Sequence, residues 1–428
     1  MPTSGTLATI ATLGEPRFPS RVGTTVDTDA VVPAAIVRRV DDPAPDGLLF
    51  EVAGPRATLF FDPPRTRAAI VTCGGLCPGL NNVIRSLYMA MRYTYGVPEV
   101  LGFRGGYGGL DPRRAPEPLT LTPELVRDIH RMGGTLLGTS RGPVDVGVAI
   151  ENLMRRGVDV LFAIGGDGSQ RGAAALHEEA VRRGHSLSVV GIPKTIDNDI
   201  AYVSRTFGYL TAIGEAARVL ECAHTEAHSV ENGIALVKLM GRHAGFIAAG
   251  ATVANQDVNF VLVPEIPFAL DGPGGFLATL ERRIRERRHA VVVVAEGAGQ
   301  DLVHADTTAR DASGNVKLAD IGPFLRQRIE AHFAQAQIPA VVRYFDPSYM
   351  IRSRHADAED AIICDFYARH AVHAAMAGKT GLMIGLVHDT FVHVPIDLLT
   401  NLPPKRIDPE SVVWQAVLAT TGQPARFA

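Results

Sequence analysis

The sequence predicts an α/β protein built on doubly wound, mainly parallel sheets. Three observations carry that prediction. Short runs rich in Val, Ile and Leu recur from residue 68 onward, longer segments of helical character separate them, and two of the runs end abruptly in glycine-bearing turns. The runs are AAIVTC at 68–73, VDVLFAI at 158–164, LSVVGI at 187–192 and IALVKLM at 234–240. They continue with NFVLVPE at 259–265, AVVVVAEG at 290–297, AVVRYF at 340–345 and GLMIGL at 381–386. Runs apolar on both faces must be covered by helices on both sides, which favours parallel sheets over an all-β sandwich. In such sheets ligands lie at the carboxyl ends of the strands.

Composition narrows the function. The 428 residues suffice for two or three domains, and 46% hydrophobic content fills more than one core. With 45 acids against 42 bases and a net charge of −3, there is no basic surplus to neutralise a nucleic-acid backbone. No apolar run is long enough to cross a bilayer, and MPTSGTLATIATLGEPRF lacks the basic and apolar regions of a secretory signal. Small-molecule partners and a cytoplasmic location are therefore expected, with neither nucleic acid nor membrane as partner. Four cysteines make no disulfide framework, and Cys73 and Cys77 lack a second pair at zinc-finger spacing.

In chain order, residues 1–65 carry proline-rich patches, DDPAPDG at 41–47 and FDPPRTR at 61–67, and read as an irregular N-terminal extension. The first buried run then leads into CGGLCPGLNN at 73–82, ahead of the helical VIRSLYMAMRY. The second leads into GGDGS at 165–169. Glycines there let backbone N–H groups approach phosphate oxygens, Asp167 stands where magnesium binds, and a helix over 170–184 capped by Ser169 offers its N-terminus to an anion. Neither turn fits G-x-G-x-x-G or G-x-x-x-x-G-K-[ST]. The third run leads into PKTIDND at 193–199, which packs two carboxylates, an amide, a hydroxyl and an amine into seven residues. One acid can accept a proton from a substrate hydroxyl while the other orients magnesium. The segments 279–289 and 320–335 read as solvated faces of packed helices, His224 and His228 as ordinary histidines one helical turn apart, and Trp414 as a packing anchor.

Together GGDGS, PKTIDND, TFGYLTAIGEA (206–216), KLMGRHAGF (238–246), VPEIPF (263–268) and YFDPSYMIR (344–352) occur in the order found in the 6-phosphofructokinases. The chain resembles that family over roughly 66–400, and most closely its plant-like and trypanosomal ATP-dependent branch. The resemblance implies two Rossmann-like lobes with the active site in the cleft between them. A nucleotide-binding lobe would comprise 66–208 plus 351–400, and a sugar-phosphate-binding lobe 209–350 plus 401–428. It implies transfer of the ATP γ-phosphoryl group to the 1-hydroxyl of fructose 6-phosphate, with Mg²⁺ as cofactor, in a glycolytic, allosterically regulated homo-oligomer that is commonly a tetramer.

The resemblance also distributes roles. Asp197 becomes the base, Thr195 holds the incoming phosphoryl group, and Asp167 with Asp199 forms the magnesium site. Gly74, Gly166, Gly168 and Ser169 line the nucleotide phosphates, with Arg141, Gly142 and Lys194 also on the nucleotide side. The sugar phosphate falls to Thr195, Ile196, Asp197, Met240, Gly241, Arg242, Glu296, Arg343, Tyr349, Met350, Ile351 and Arg352, of which Arg242 also counts as catalytic. At least one of Arg343 and Arg352 would come from a neighbouring subunit. Two departures stand out: Gly233 replaces an arginine of typical bacterial members that reaches across to the sugar phosphate, and Tyr349 replaces a histidine.

Pyrophosphate-using members usually carry an acid at the position of Gly168, which obstructs the α-phosphate of a nucleotide. Glycine there favours ATP, although Lys194 is the residue the pyrophosphate enzymes carry. Three other readings compete: a pyrophosphate-dependent enzyme, a non-catalytic metabolite-sensing paralogue, and NAD or lipid kinases, which also carry GGDG. The sensing paralogue is disfavoured because Asp167 and Asp197 are both present, and the other kinases because of the sugar-phosphate set.

Overall fold

The computed structural model describes residues 5–36, 47–142, 144–303, 309–310 and 316–428. The proline-rich stretch at 41–46 lies outside them. The chain divides into two compact units, the first comprising Met1–Thr195, Ile200–Gly208 and Ser353–Pro403, the second Ile196–Asp199, Tyr209–Arg352 and Pro404–Ala428.

The first unit is centred on a seven-stranded sheet. Its order is Thr390–Pro395, Leu382–Val387, Ser188–Pro193, Val160–Gly165, Arg67–Thr72, Glu99–Phe103, Leu119–Thr120. Neighbours run parallel except at the two edges, where Thr390–Pro395 and Leu119–Thr120 are antiparallel. Every residue of Val160–Gly165 and Ser188–Pro193 is buried, as strands covered on both faces require. On one face Ala69, Val71, Leu161, Ala163 and Val189 pack with Ile150, Leu153, Ala173 and Leu176, helical residues whose spacing makes an apolar stripe. Each such large side chain contributes about 1.5–3 kcal/mol by leaving water.

The residues before 66 have more structure than their composition suggests. Gly5–Leu7, Gly47–Glu51 and Val31–Pro33 form a three-stranded sheet, and Ala11–Thr12 pairs with Lys379–Thr380. Val52 bridges Val392, and Ala53 N–H donates to the Phe391 carbonyl at 2.8 Å, so this segment covers the exposed edge of the large sheet. Beneath it lies an ionic cluster. Glu51 accepts from Arg56 at 2.6 Å and Lys379 at 2.8 Å, with fully buried His393 at 3.5 Å. Burial opposes ionisation of Glu51, but the nearby His393 ring and the hydrogen bonds of Lys379 and Arg56 outweigh it and hold the carboxyl well below the usual carboxylate range.

Helix Ala358–Met376 carries two half-buried histidines. His370 stacks on Phe391 with ring centroids 4.6 Å apart, and His373 meets the Tyr95 hydroxyl at 2.7 Å. Burial, reinforced by neighbouring positive groups, brings His370 down to about 4 and His373 to about 3. The folded chain keeps both neutral while the unfolded chain takes up protons below 6.5, so stability present above pH 6.5 is lost as pH falls through this window. Thermal unfolding should show a lower midpoint at pH 4.5 than at pH 7, and His373→Gln should flatten that dependence. An unchanged slope in the variant contradicts the assignment.

The second unit holds a four-stranded, wholly parallel sheet in the order Phe260–Leu262, His289–Ala295, Gly233–Leu239, Val341–Phe345. Ile234, Leu236, Val292 and Val294 pack with Leu280, Ile284, Leu325 and Ile329. The arginines at 282, 285, 287 and 288 are exposed on the far side, the solvated face expected of helix Phe276–Arg287. Trp414 is buried within helix Val412–Thr421, as a packing anchor should be.

Candidate active site

In the first unit the candidate residues gather at the carboxyl ends of adjacent parallel strands. Strand Val160–Gly165 ends against Gly166, and helix Asp167–Arg182 begins at once. Ser169 therefore lies inside the first turn and caps nothing. The N-cap position belongs to Gly166, whose extended backbone lets the helix start three residues earlier than expected. Gly165 has no room for a side chain, since a Cβ there would meet Ser169 Oγ at 2.2 Å. Gly168 is open, with only an Arg171 guanidinium nitrogen at 3.6 Å from such a Cβ. The carboxylate of Asp167 pairs with Arg171, one helical turn on, and both are about half exposed.

The turn after Arg67–Thr72 is laced to its neighbours. Gly74 sits at φ +85°, a left-handed conformation suited to glycine, and its N–H donates to the Ser140 carbonyl at 3.1 Å. Thr139 Oγ1 donates to the Gly74 carbonyl at 2.6 Å, so the segment carrying exposed Arg141 and Gly142 docks on this turn. Lys194 is buried. Its N–H donates to the Gly165 carbonyl at 3.0 Å and its ammonium to the Gly75 carbonyl at 2.7 Å, which joins the three strand ends. The Thr195 carbonyl accepts from Thr206 Oγ1 at 2.7 Å.

The second unit holds the rest. Ile196 is buried, Asp197 and Asp199 are half-buried, and Asn198 turns the loop at φ +53°, a region that asparagine tolerates. Gly241, at φ +132°, leaves no room for a Cβ against the Ala244 carbonyl at 2.5 Å, and its own carbonyl accepts the Gly297 N–H at 3.1 Å. That bond ties the turn carrying Met240 and Arg242 to the one carrying Glu296. Arg242 also donates to the Val316 carbonyl at 2.7 Å. Burial raises the Glu296 carboxyl, while Arg242, Lys238 and Arg352 oppose the shift and Asp346 reinforces it. The Arg352 guanidinium lies 4.6 Å from the ring centroid of Tyr349, a cation–π contact. Tyr349 and Met350 are exposed, and Ile351 is buried.

Arg343 is not part of this grouping. It is registered against Ala235, four residues before the strand end at Leu239, or about 13 Å back along the sheet. It pairs there with Glu226 at 2.9 Å. Gly233 lies farther still, at the start of the strand and six residues before its end. A Cβ there would meet the Ala227 carbonyl at 2.1 Å, so the local backbone admits no larger residue in the place of the bacterial arginine.

Several polar residues of the second unit escaped the sequence reading. Lys238 pairs with Asp320 at 2.9 Å and Asp346 at 2.8 Å, and as the one charged residue in a buried strand it was open to notice. Lys405 donates its N–H to the Asp199 carbonyl at 2.7 Å, and burial brings its ammonium down to about 8 against the pull of Asp199. His289 joins His224 and His228 as a third ring, at centroid distances of 5.5 and 5.0 Å. Among the described residues no group of three or more His, Cys, Asp or Glu is arranged to hold a metal ion. Nor, among them, is any helix long and apolar enough to cross a membrane.

Comparison with known proteins adds independent information. Residues 67–375 match the family model described as phosphofructokinase. An ATP-dependent 6-phosphofructokinase of Amycolatopsis methanolica is 50% identical over 384 residues, 88% of this chain and 83% of the relative. ATP-dependent 6-phosphofructokinase 1 of Arabidopsis thaliana is 46% identical, covering 94% of this chain and 84% of its own length. The Trypanosoma cruzi ATP-dependent enzyme is 46% identical over 87% of this chain and 77% of its own. Among solved structures, a pyrophosphate-dependent phosphofructokinase from Marinobacter aquaeolei superposes with a TM-score of 0.69 at 22% identity, covering 83% of this chain and 91% of that one. At that identity the likeness speaks for the α/β fold alone.

Proposed function

The chain belongs to the phosphofructokinase family, and from that premise we propose that it transfers the γ-phosphoryl group of ATP to the 1-hydroxyl of fructose 6-phosphate. The products are ADP and fructose 1,6-bisphosphate, a glycolytic step. The first unit supplies the nucleotide side and the second the sugar-phosphate side. The observation that carries the reading is the Gly241–Gly297 bond, which holds the Arg242 turn beside Glu296 at the strand ends of the second unit, where Arg242 and Arg352 both act on the Glu296 carboxyl. A carboxylate there suits sugar hydroxyls, and paired guanidinium groups suit a phosphate.

Asp197 takes the proton of the 1-hydroxyl as its oxygen bonds to the γ-phosphorus and the β–γ bridge breaks. Thr195 and Arg242 hold the transferring group in line. On the donor side the turns at Gly74 and Gly166–Ser169 bring backbone N–H groups and a helix N-terminus to the phosphates. Magnesium would be held by Asp167 and Asp199, hard oxygen donors of the kind it prefers. The bound ion supplies charge stabilisation to the phosphates. Ser169, Arg141, Gly142 and Lys194 complete the donor side, while Ile196, Met240, Gly241, Tyr349, Met350 and Ile351 border the acceptor. Arg343, remote from Glu296 in its own chain, is assigned to a neighbouring subunit of a homo-oligomer, most simply a tetramer in the cytoplasm.

Donor choice rests on Gly168, whose surroundings are open enough to accept a side chain without disturbing the fold. A coupled assay with fructose 6-phosphate should show turnover with ATP and little with pyrophosphate. Gly168→Asp should fold normally yet lose ~10²-fold in kcat/KM for ATP, as expected for a charge and a steric block set against a phosphate. Turnover with pyrophosphate alone would overturn the donor assignment.

A further inference from the structure

After Pro403 the chain enters the second unit, and its first residues are pinned by a short series of bonds. Lys405 N–H donates to the Asp199 carbonyl at 2.7 Å, and two residues later Ile407 N–H donates to Glu265 Oε1 at 2.9 Å. Glu265 in turn accepts the Gly245 N–H at 2.9 and 3.2 Å, in the same turn as Arg242. The Lys405 side chain is half-buried, its ammonium 5.2 Å from the ring centroid of Phe246, the residue that follows Gly245. Residues 405–407 therefore strap the loop holding Asp197 to the turn holding Arg242. A sheltered ammonium is costly unless paired, and replacing it loosens whatever it is paired with.

We propose that Lys405 is a positioning residue for phosphoryl transfer, fixing the Ile196–Asp199 loop relative to the Arg242 turn through Asp199 on one side and the Ile407–Glu265–Gly245 bonds on the other. The proposal rests on the reading of Asp197 as the base. It extends the site to the C-terminal segment. Displacing a positioned group by about 1 Å costs of the order of 10²-fold in rate, so a partial loosening is worth ~10-fold.

The test compares Lys405→Met and Lys405→Arg in the full chain. The methionine variant should lose ~10-fold or more in kcat while KM for fructose 6-phosphate stays within about threefold, the split expected when a transition-state contact is lost and ground-state binding is kept. The arginine variant should recover most of that rate, and neither should lower the thermal midpoint enough to explain the loss. Hydrogen exchange of the 194–208 segment reads the loop without turnover: it should be faster in Lys405→Met and near the parent rate in Lys405→Arg. Wild-type kcat with unchanged exchange in the methionine variant overturns the proposal, as does equal impairment of both variants with kcat and KM changing in step. An inactive parent enzyme sinks the kinase reading instead, and the exchange experiment then still decides whether Lys405 holds the loop.

Discussion

Asp197→Ser should lower kcat at least ~10²-fold while leaving KM for fructose 6-phosphate within a few-fold, because a positioned base contributes 10²–10⁴ to rate and little to ground-state binding. The sugar phosphate is assigned to Arg242, Glu296 and Arg352, which the substitution leaves in place. Serine keeps a polar group in a loop whose turn is set by Asn198 in the left-handed region, so the backbone need not move. Activity near the parent level would remove Asp197 from the chemistry. A rise in KM equal to the fall in kcat/KM would assign it to binding. Measuring kcat and KM separately on purified variant distinguishes the two.

Glu51→Ala should cost about 3–5 kcal/mol of stability, the usual consequence of removing one partner from a buried charge cluster. Arg56 and Lys379 lose a carboxylate that accepts from both, at 2.6 and 2.8 Å, beneath the segment that covers the sheet edge. The second half of the test is Glu51→Gln with Lys379→Met. Removing the Glu51 and Lys379 charges together leaves Arg56 as the one full charge and should recover part of the loss, since the penalty lies in the uncompensated charge and not in a missing contact. Denaturant unfolding at pH 7 checks both variants, and a loss under about 1 kcal/mol in Glu51→Ala would show the cluster to be solvated.

The fold was legible where burial dictates sequence. Strands such as Val160–Gly165 are apolar on both faces and announce a parallel sheet, and all eight runs quoted from the sequence overlap strands. The edges were less legible. Thr390–Pro395 returns through His388 and Asp389, both at positive φ, without the Asn-Gly or Asp-Gly pair that usually marks a tight hairpin. The N-terminal residues looked irregular because their strands are two to five residues long and pair with distant partners. Strand order was hidden for the same reason, since Leu382–Val387 joins Ser188–Pro193 across nearly two hundred residues.

The candidate site divides in a similar way. Its loops were legible because glycines, paired acids and strand-end arginines are costly to place without a use, and the family's motifs gave them roles. The residues that hold those loops were not. Lys405 sits in PPKR, which has the composition of a surface turn, and Glu265 in VPEIPF shows no sign of its bonds to Gly245 and Ile407. The early start of helix Asp167–Arg182 depends on the extended backbone of Gly166, which no local pattern encodes.

The most direct test of the whole account follows the phosphoryl group itself. ATP labelled in its γ-phosphoryl group is incubated with the purified protein, magnesium and fructose 6-phosphate, and the product is resolved by phosphorus NMR. The account predicts fructose 1,6-bisphosphate with the label wholly in the 1-phosphate and one ADP released per sugar. Label appearing only as inorganic phosphate, or a bisphosphate formed from pyrophosphate and never from ATP, would contradict it.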